Sequence, residues 1–158
     1  MSTLHEVVHR GKVLRKSLGK RMKRLRKEVK RTAKKGEEID GALSEELESF
    51  RRQFREVLDL EATRAEADAT TRVDVIVDGQ VILAQVTVAV LLSLREEVRY
   101  QQKLYRRLSE SSPTPTITGR AARIEALRSA VEIALTEANQ RPAEEVSISG
   151  PVDAYLFG

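Results

Sequence analysis

Cysteine and tryptophan are absent from this chain of 158 residues, and the other aromatic residues are scarce. Without cysteine there is no disulfide, no thiolate nucleophile and no cysteine-based zinc site. Aromatic residues make up only 4% of the sequence. Such a composition suits helices that pack on one another better than it suits a β-sandwich. We therefore predict an all-α fold, with a helical bundle as its body.

The sequence also has no long apolar run. Its longest, Val81–Leu94, covers fourteen residues and is interrupted by polar side chains, whereas a helix needs about 20 residues to span a bilayer. The charged residues near the N-terminus never give way to the apolar stretch of a signal peptide. We therefore predict no membrane span and no secretory signal, and place the apolar run at the centre of the bundle.

Positive charge is abundant but is concentrated at one end. Residues 1–35 hold fourteen bases against two acids, a net charge of +12, and the rest of the chain has a net charge of −8. Apolar residues recur every three or four positions in this segment, which predicts an amphipathic helix. A helix of that length would reach about 50 Å, so we expect a projecting basic arm. Its bases are Arg10, Lys12, Arg15, Lys16, Lys20, Arg21, Lys23, Arg24, Arg26, Lys27, Lys30, Arg31, Lys34 and Lys35.

A basic segment of this kind is typical of an arm that binds a polyanion. Two acids cannot neutralise fourteen bases within the segment, so a solvated, internally paired helix face is disfavoured. An anionic membrane surface is the alternative partner, but membrane-surface helices normally insert Trp or Phe, and the apolar stripe here is aliphatic. Nucleic acid is therefore favoured. Because no base-reading motif is present, we predict phosphate contacts without sequence preference, to double-stranded DNA or to RNA.

The segment after the arm is predicted to begin with a second helix. Its apolar stripe starts at Ile39, just after Glu37, and continues in steps of three and four to about Val77. Gly79 would then end the helix. The alternative is that Asp78 and Gly79 form the turn of a β-hairpin, because short β-branched runs are ambiguous between helix and strand.

Two more helices complete the predicted body. One covers Gln80–Leu108, and the other covers Gly119–Gln140 with Thr118 as its N-terminal cap. The connecting segment Ser109–Thr118 contains two prolines and is predicted to be a loop. The sequence thus divides into a basic arm, a helical-bundle body and an extended tail, at residues 1–35, 36–142 and 143–158.

Two smaller features remain. A second basic cluster on the third predicted helix either extends the nucleic-acid surface or is simply a solvated face; it contains Arg99, Lys103, Arg106 and Arg107 beside Tyr100 and Tyr105. The tail ends in an apolar group that we expect to contact a neighbouring subunit, with folding back onto its own chain as the alternative. That group is Val152, Tyr155, Leu156 and Phe157.

One catalytic motif is present, since His5, Glu6 and His9 match the H-E-x-x-H pattern of zinc metalloproteases. The pattern starts four residues from the N-terminus, and these are the only two histidines, so no third histidine ligand is available. A catalytic zinc also needs a shaped cavity and supporting hydrogen bonds. We therefore predict that the protein is not an enzyme and needs no metal or cofactor, and keep the metalloprotease as the less favoured alternative.

The layout resembles the major capsid proteins of filamentous archaeal viruses. The features that carry the resemblance are the basic segment Arg10–Lys35, the helical pattern of the body and the cysteine-free, charge-rich composition. The resemblance implies a virion protein that wraps double-stranded DNA held in an A-like form. It also implies polymerisation into a helical filament, as a homo-oligomer or together with a homologous coat protein.

A cellular nucleic-acid-binding helical protein is the alternative. It would be a chromatin protein or a small subunit of an RNA-guided complex, and it would be cytoplasmic and nucleoid-associated. The sequence thus predicts a structural DNA-binding protein and leaves its viral or cellular setting open.

Overall fold

The computed structural model describes residues 1–36 and 41–158. Helices make up 77% of them, in five segments, and a small two-stranded sheet is also present. Among these residues, no helix is both long enough and apolar enough to cross a membrane. In chain order the elements are α1 (Leu4–Lys34), α2 (Gly41–Thr70), β1 (Arg72–Val77), β2 (Gln80–Thr87), α3 (Val88–Ser111), α4 (Pro115–Asn139) and α5 (Ser149–Phe157).

The chain forms two compact units. We call Met1–Glu66 together with Ala143–Gly158 the terminal unit, and Ala67–Pro142 the central unit. The predicted body, residues 36–142, is therefore divided between the two units, and the predicted arm and tail share one unit. Glu37 and Ile39, where the second helix was predicted to begin, lie outside the described residues.

In the terminal unit, α1 lies antiparallel to α2. Near the start of α1, Arg10 Nη2 donates to Glu56 Oε1 on α2 at 2.6 Å. Further along α1, Arg21 Nη1 donates to Ser49 Oγ on α2 at 2.8 Å. Hydrogen bonds at successive levels tie the two helices together as a hairpin. The prediction of a projecting arm is therefore not confirmed, because α1 is packed against its own chain.

The C-terminal segment also packs on α2. Asp59 on α2 accepts hydrogen bonds from the backbone N–H groups of Ile148 and Ser149, at 2.8 and 2.9 Å. Arg51 holds Asp153 of α5 with two hydrogen bonds, at 2.8 and 2.6 Å. The tail was predicted to be extended, but from Ser149 onward it is a helix. The carboxylate of Asp59 supplies the acceptor that the first N–H groups of such a short helix need.

The central unit is a β-hairpin packed with two helices. Strands β1 and β2 are antiparallel, and α4 packs against both β1 and α3. Its core is aliphatic and almost fully buried, with Val75, Leu91 and Val131 inaccessible to solvent. The apolar run Val81–Leu94 was predicted to lie at the centre of the bundle, but of its residues only Val88 and Leu91 are buried. Its first half is a strand, in which Val81 and Ile82 are about half exposed.

The β-hairpin occupies residues that were predicted to be helical, and its presence means that the fold is not all-α. Asp78 and Gly79 have φ angles of 50° and 76°, and two successive positive φ values characterise the type I′ turn, which Asp-Gly favours. The β-branched residues on both sides of this turn pair as strands. The predicted helix through Val77 was wrong, and so was a helix starting at Gln80; the hairpin alternative was correct.

The start of α4 corrects the predicted loop. Thr114, and not Thr118, caps the helix, and its hydroxyl accepts from Ile117 N at 3.2 Å. Pro115 occupies the first turn, where its missing N–H costs nothing because the N–H groups of that turn have no partner within the helix. Proline was therefore compatible with helix at this position, and the connection to α3 is much shorter than predicted.

Candidate nucleic-acid interface

The lysines of α1 occupy one face of the helix. Taking 3.6 residues per turn, seven of its lysines fall within an arc of about 80°. This arc lies opposite the buried residues Leu4, Val7, Gly11 and Leu25. All seven lysines are exposed. We call this set the lysine face: Lys12, Lys16, Lys20, Lys23, Lys27, Lys30 and Lys34.

The arginines of α1 behave differently, because three of them turn toward α2. Arg10 pairs with Glu56 at 2.6 Å and Arg15 with Glu61 at 3.5 Å. Arg21 is half-buried and lies 3.8 Å from a carboxylate oxygen of α2. Arginine suits this position because its planar, multi-donor head can bridge two helices. These three bases were predicted to bind nucleic acid, and the structure shows that they also pair with α2, while the side chains of Arg10 and Arg15 stay 63% and 67% exposed.

The other predicted bases remain accessible. Arg31 pairs with Glu28 on its own helix at 3.5 Å. Within residues 1–36 and 41–158, the remaining ten bases form no ion pair. They are the lysine face together with Arg24, Arg26 and Lys35. Of the fourteen bases that were predicted to bind nucleic acid, ten therefore remain unpaired within the described part of the chain: the seven of the lysine face, and Arg24, Arg26 and Lys35.

The lysine face is electrostatically unfavourable in the free protein. Successive lysines are three or four residues apart, which places their ammonium groups side by side on the helix. Each like-charge pair at this spacing destabilises an isolated helix by about 0.2–0.5 kcal/mol. The first and last lysines are about 33 Å apart along the axis, at 1.5 Å per residue. An external anion of similar length would remove this repulsion.

The predicted subunit-contact residues lie at the end of α5. Val152 is half-buried, whereas Tyr155 is 89% exposed and Leu156 and Phe157 are also exposed. The guanidinium of Arg51 lies 4.1 Å from the centroid of the Phe157 ring. Phe157 also lines an open groove of about 350 Å³ with apolar residues of α2, namely Leu47, Phe50 and Phe54. All three phenylalanines of the chain meet at this groove.

The H-E-x-x-H motif forms the start of α1. Thr3 N donates to Glu6 Oε2 at 3.0 Å, and Glu6 N donates to Thr3 Oγ1 at 3.3 Å. This reciprocal capping box explains the glutamate of the motif as a helix cap. His5 and His9 are exposed. In the part of the chain that the structure describes, no cluster of three or more potential ligand side chains is placed to hold a metal ion.

A polar cavity of about 550 Å³ in the terminal unit is the other place where carboxylates gather. Two of the carboxylates that line it already have structural partners. Glu56 accepts from Arg10, and Asp59 accepts from the start of α5. These two groups are therefore engaged in holding the unit together. The lysine face is therefore the better candidate for a functional surface.

Comparison with known proteins gives the chain a family. A family model matches residues 1–117, which span α1, α2, the hairpin, α3 and the first residues of α4. The chain belongs to the family of unknown function DUF7873. No curated protein and no solved structure matches it. The family description states no activity, so it does not link the chain with viral coat proteins, and the function has to be inferred from the residues.

Proposed function

We propose that the protein coats double-stranded nucleic acid, binding the phosphate backbone without sequence preference through the lysine face. One observation carries this proposal: seven exposed lysines share one side of α1 and face away from the carboxylates of α2. The sequence supplies the positive charge, and the packing of α1 against α2 leaves the lysines unpaired on the opposite, exposed side of α1. A polyanion is the partner that such a surface fits best.

Lysine chemistry favours phosphates over bases as the target. An ammonium group is a compact point charge on a flexible stem and lacks the planar fork with which arginine reads guanine. The row is about 33 Å long, which is close to one helical turn of duplex DNA. Phosphate contacts over such a length fix the position of a protein on nucleic acid without reading its sequence.

The packing of α1 disfavours an anionic membrane as the partner. A basic amphipathic helix binds a bilayer by burying its apolar face among the lipids. In the terminal unit Leu4, Val7 and Leu25 on that face are buried already. Met22 and Val29 of the same face stay 44% and 40% exposed. Insertion of the buried side chains would require α1 to separate from α2, whereas binding to a polyanion uses only side chains that are exposed in the folded protein.

The proposal is tested by the salt dependence of binding. Fluorescence anisotropy with two labelled 30-base-pair duplexes of unrelated sequence should give equal affinities. Each phosphate contact contributes about −0.9 to the slope of log K against log salt. Four to seven contacts therefore predict a slope between about −3.5 and −6. Anionic vesicles of phosphatidylserine and phosphatidylcholine serve as the comparison in cosedimentation. Vesicle binding that exceeds duplex binding, or duplex affinity independent of salt, would refute the proposal.

The exposed end of α5 favours a coat over an isolated DNA-binding protein. A coat needs contacts between neighbouring subunits. Tyr155, Leu156 and the groove beside Phe157 offer an apolar surface of the kind that marks protein–protein contacts. We propose that copies bound along DNA contact each other through this surface, as in the coat of a filamentous virion.

Replacing Tyr155 and Leu156 together by serine should prevent this assembly. Both side chains are exposed in the folded chain, so the melting temperature should change by no more than a degree or two. Negative-stain electron microscopy with long duplex DNA should show regular filaments for the wild type and dispersed complexes for the variant. Filaments that persist in the variant would show that these side chains are not needed for assembly, and a variant that unfolds would show that they serve the fold.

A further inference from the structure

The second basic cluster of the sequence, on α3 in the central unit, is divided by the structure into two groups. Tyr105 and Arg106 face α4, where Arg120 Nη1 donates to the Tyr105 hydroxyl at 3.5 Å and Arg106 Nη2 donates to Glu125 Oε1 at 3.4 Å. These two side chains are therefore used within the unit and are not available for an external ligand.

The other group points to solvent. Arg99, Lys103 and Arg107 follow one another at four-residue intervals, so they lie along one face of α3. All three are exposed, and within the described residues none of them forms an ion pair. Tyr100 lies on the same face and is 62% exposed. Carboxylates share this side of α3: Glu96 and Glu97 lie one turn before Tyr100, and Glu110 lies one turn after Arg107. The ring therefore has both cations and carboxylates beside it, with Lys103 one turn after it.

An exposed aromatic ring with Lys and Arg side chains nearby has the residue types that bind single-stranded nucleic acid. Such sites stack a base on the ring while neighbouring Lys and Arg side chains contact the phosphates on either side. The bases of an intact duplex are stacked on one another and cannot reach a ring outside the helix, so a stacking residue acts only on unpaired bases. The lysine face of α1 contains no aromatic residue, so it cannot distinguish unpaired bases from an intact duplex by stacking.

We propose that Tyr100, flanked by Arg99, Lys103 and Arg107, is a second nucleic-acid contact that stacks on an unpaired base. The proposal deepens the proposed function by naming nucleic acid with single-stranded segments as a partner, and it rests on nucleic acid being the ligand. It assigns duplex affinity to the terminal unit and affinity for unpaired bases to the central unit.

The test compares Tyr100→Ala with Tyr100→Phe in the full-length chain. Anisotropy is measured with a labelled 15-nucleotide oligothymidine and with a 30-base-pair duplex. The alanine variant should lose between about 5-fold and 100-fold in affinity for the oligothymidine, and its affinity for the duplex should stay within about twofold. The phenylalanine variant keeps the ring and should bind both ligands as the wild type does.

A spectroscopic readout separates stacking from a general structural effect. Stacking on a base should quench the fluorescence of Tyr100, and this quenching should be lost in Tyr100→Phe although binding persists. Equal losses for the duplex and the oligothymidine in Tyr100→Ala would overturn the inference, and so would unchanged affinity for the oligothymidine. Failure of the wild type to bind the duplex would instead refute the function proposed for the lysine face, and the oligothymidine results would still decide the role of Tyr100.

Discussion

Replacing all seven lysines of the lysine face by glutamine is expected to weaken duplex binding at low salt by at least about 100-fold and to make the protein more stable. Binding falls because each lysine removed takes a phosphate contact with it. Stability rises because six neighbouring like-charge pairs disappear, each worth about 0.2–0.5 kcal/mol on a helix, while glutamine and lysine have similar helix propensities. Anisotropy and thermal melting at low salt measure the two effects on the same sample.

Two matched triple variants, each of which removes three positive charges from a different side of α1, provide the control. Replacing Lys16, Lys20 and Lys27 by glutamine should reduce the salt slope by up to about 2.7, at about 0.9 per contact. The second triple variant replaces by glutamine the three arginines that face α2, which are Arg10, Arg15 and Arg21. It should leave the slope nearly unchanged and lower the melting temperature, because hydrogen bonds between the helices are lost. Equal effects on binding in both triple variants would contradict a lysine-specific face and would assign binding to the net charge of the helix.

The opposite directions expected for binding and stability follow from the packing of α1. A charge that serves the fold has a partner within it, as Arg10 has in Glu56 at 2.6 Å. A charge kept for a partner costs stability until the partner binds. The lysine face belongs to the second kind, and higher salt should therefore stabilise the free protein while it weakens the complex with DNA.

The secondary structure was predictable where periodicity was long and ambiguous where it was short. The steps of three and four predicted α1 almost to its ends, because 31 residues contain many turns of the same pattern. From Val73 to Leu83, β-branched residues fit both helix and strand. The decision depended on the turn residues Asp78 and Gly79, whose positive φ angles suit a hairpin and not a helix.

The location of the basic surface could be predicted from the sequence, but not which of its bases would be unpaired. Counting charges identified α1, but it treated lysine and arginine as equivalent. The sequence already held the missing signal, since eight of the nine lysines in the chain lie within the first 35 residues. Which bases pair with α2 could not be predicted, because that depends on residues distant in the sequence, such as Glu56 opposite Arg10 and Glu46 opposite Arg21.

The second large effect is expected at Asp59, which joins the C-terminal segment to α2. Its carboxylate accepts from the backbone N–H groups of Ile148 and Ser149 and, at 2.7 Å, from the Ser149 hydroxyl. Ser149 is buried. The Asp59→Ala variant leaves these donors without an acceptor. Because a charged acceptor is lost and its donors are left unsatisfied, the free energy of unfolding should fall by about 2–4 kcal/mol. The melting temperature should fall by roughly 5–15 °C.

Hydrogen exchange shows whether the effect is local. The amides of Ile148 and Ser149 should lose protection in Asp59→Ala, whereas that of Val146, which donates to Thr63 Oγ1 at 2.9 Å, should lose less. Glu144→Ala is the control, since this exposed carboxylate of the same segment forms no hydrogen bond within the described residues. It should leave exchange and melting unchanged. Equal losses in both variants would mean that the segment responds to net charge and not to the bonds of Asp59.

The same contacts make this part of the fold sensitive to acid. Burial raises the pKa of Asp59, but the hydrogen bonds from Ser149, Ile148 and Ser147 together outweigh it, so the pKa lies below its ordinary value of 3.8. The unfolded chain, with the ordinary pKa, therefore takes up the proton more readily than the folded chain. The stabilisation is complete above pH 3.8 and is lost as the pH falls through the lower pKa of the folded state. The difference in melting temperature between wild type and Asp59→Ala should be constant from pH 7 to about pH 5 and should shrink below the ordinary pKa. A difference that stays constant into the acid range would show that the side chain stabilises the fold by its packing and not by the charge of its carboxylate.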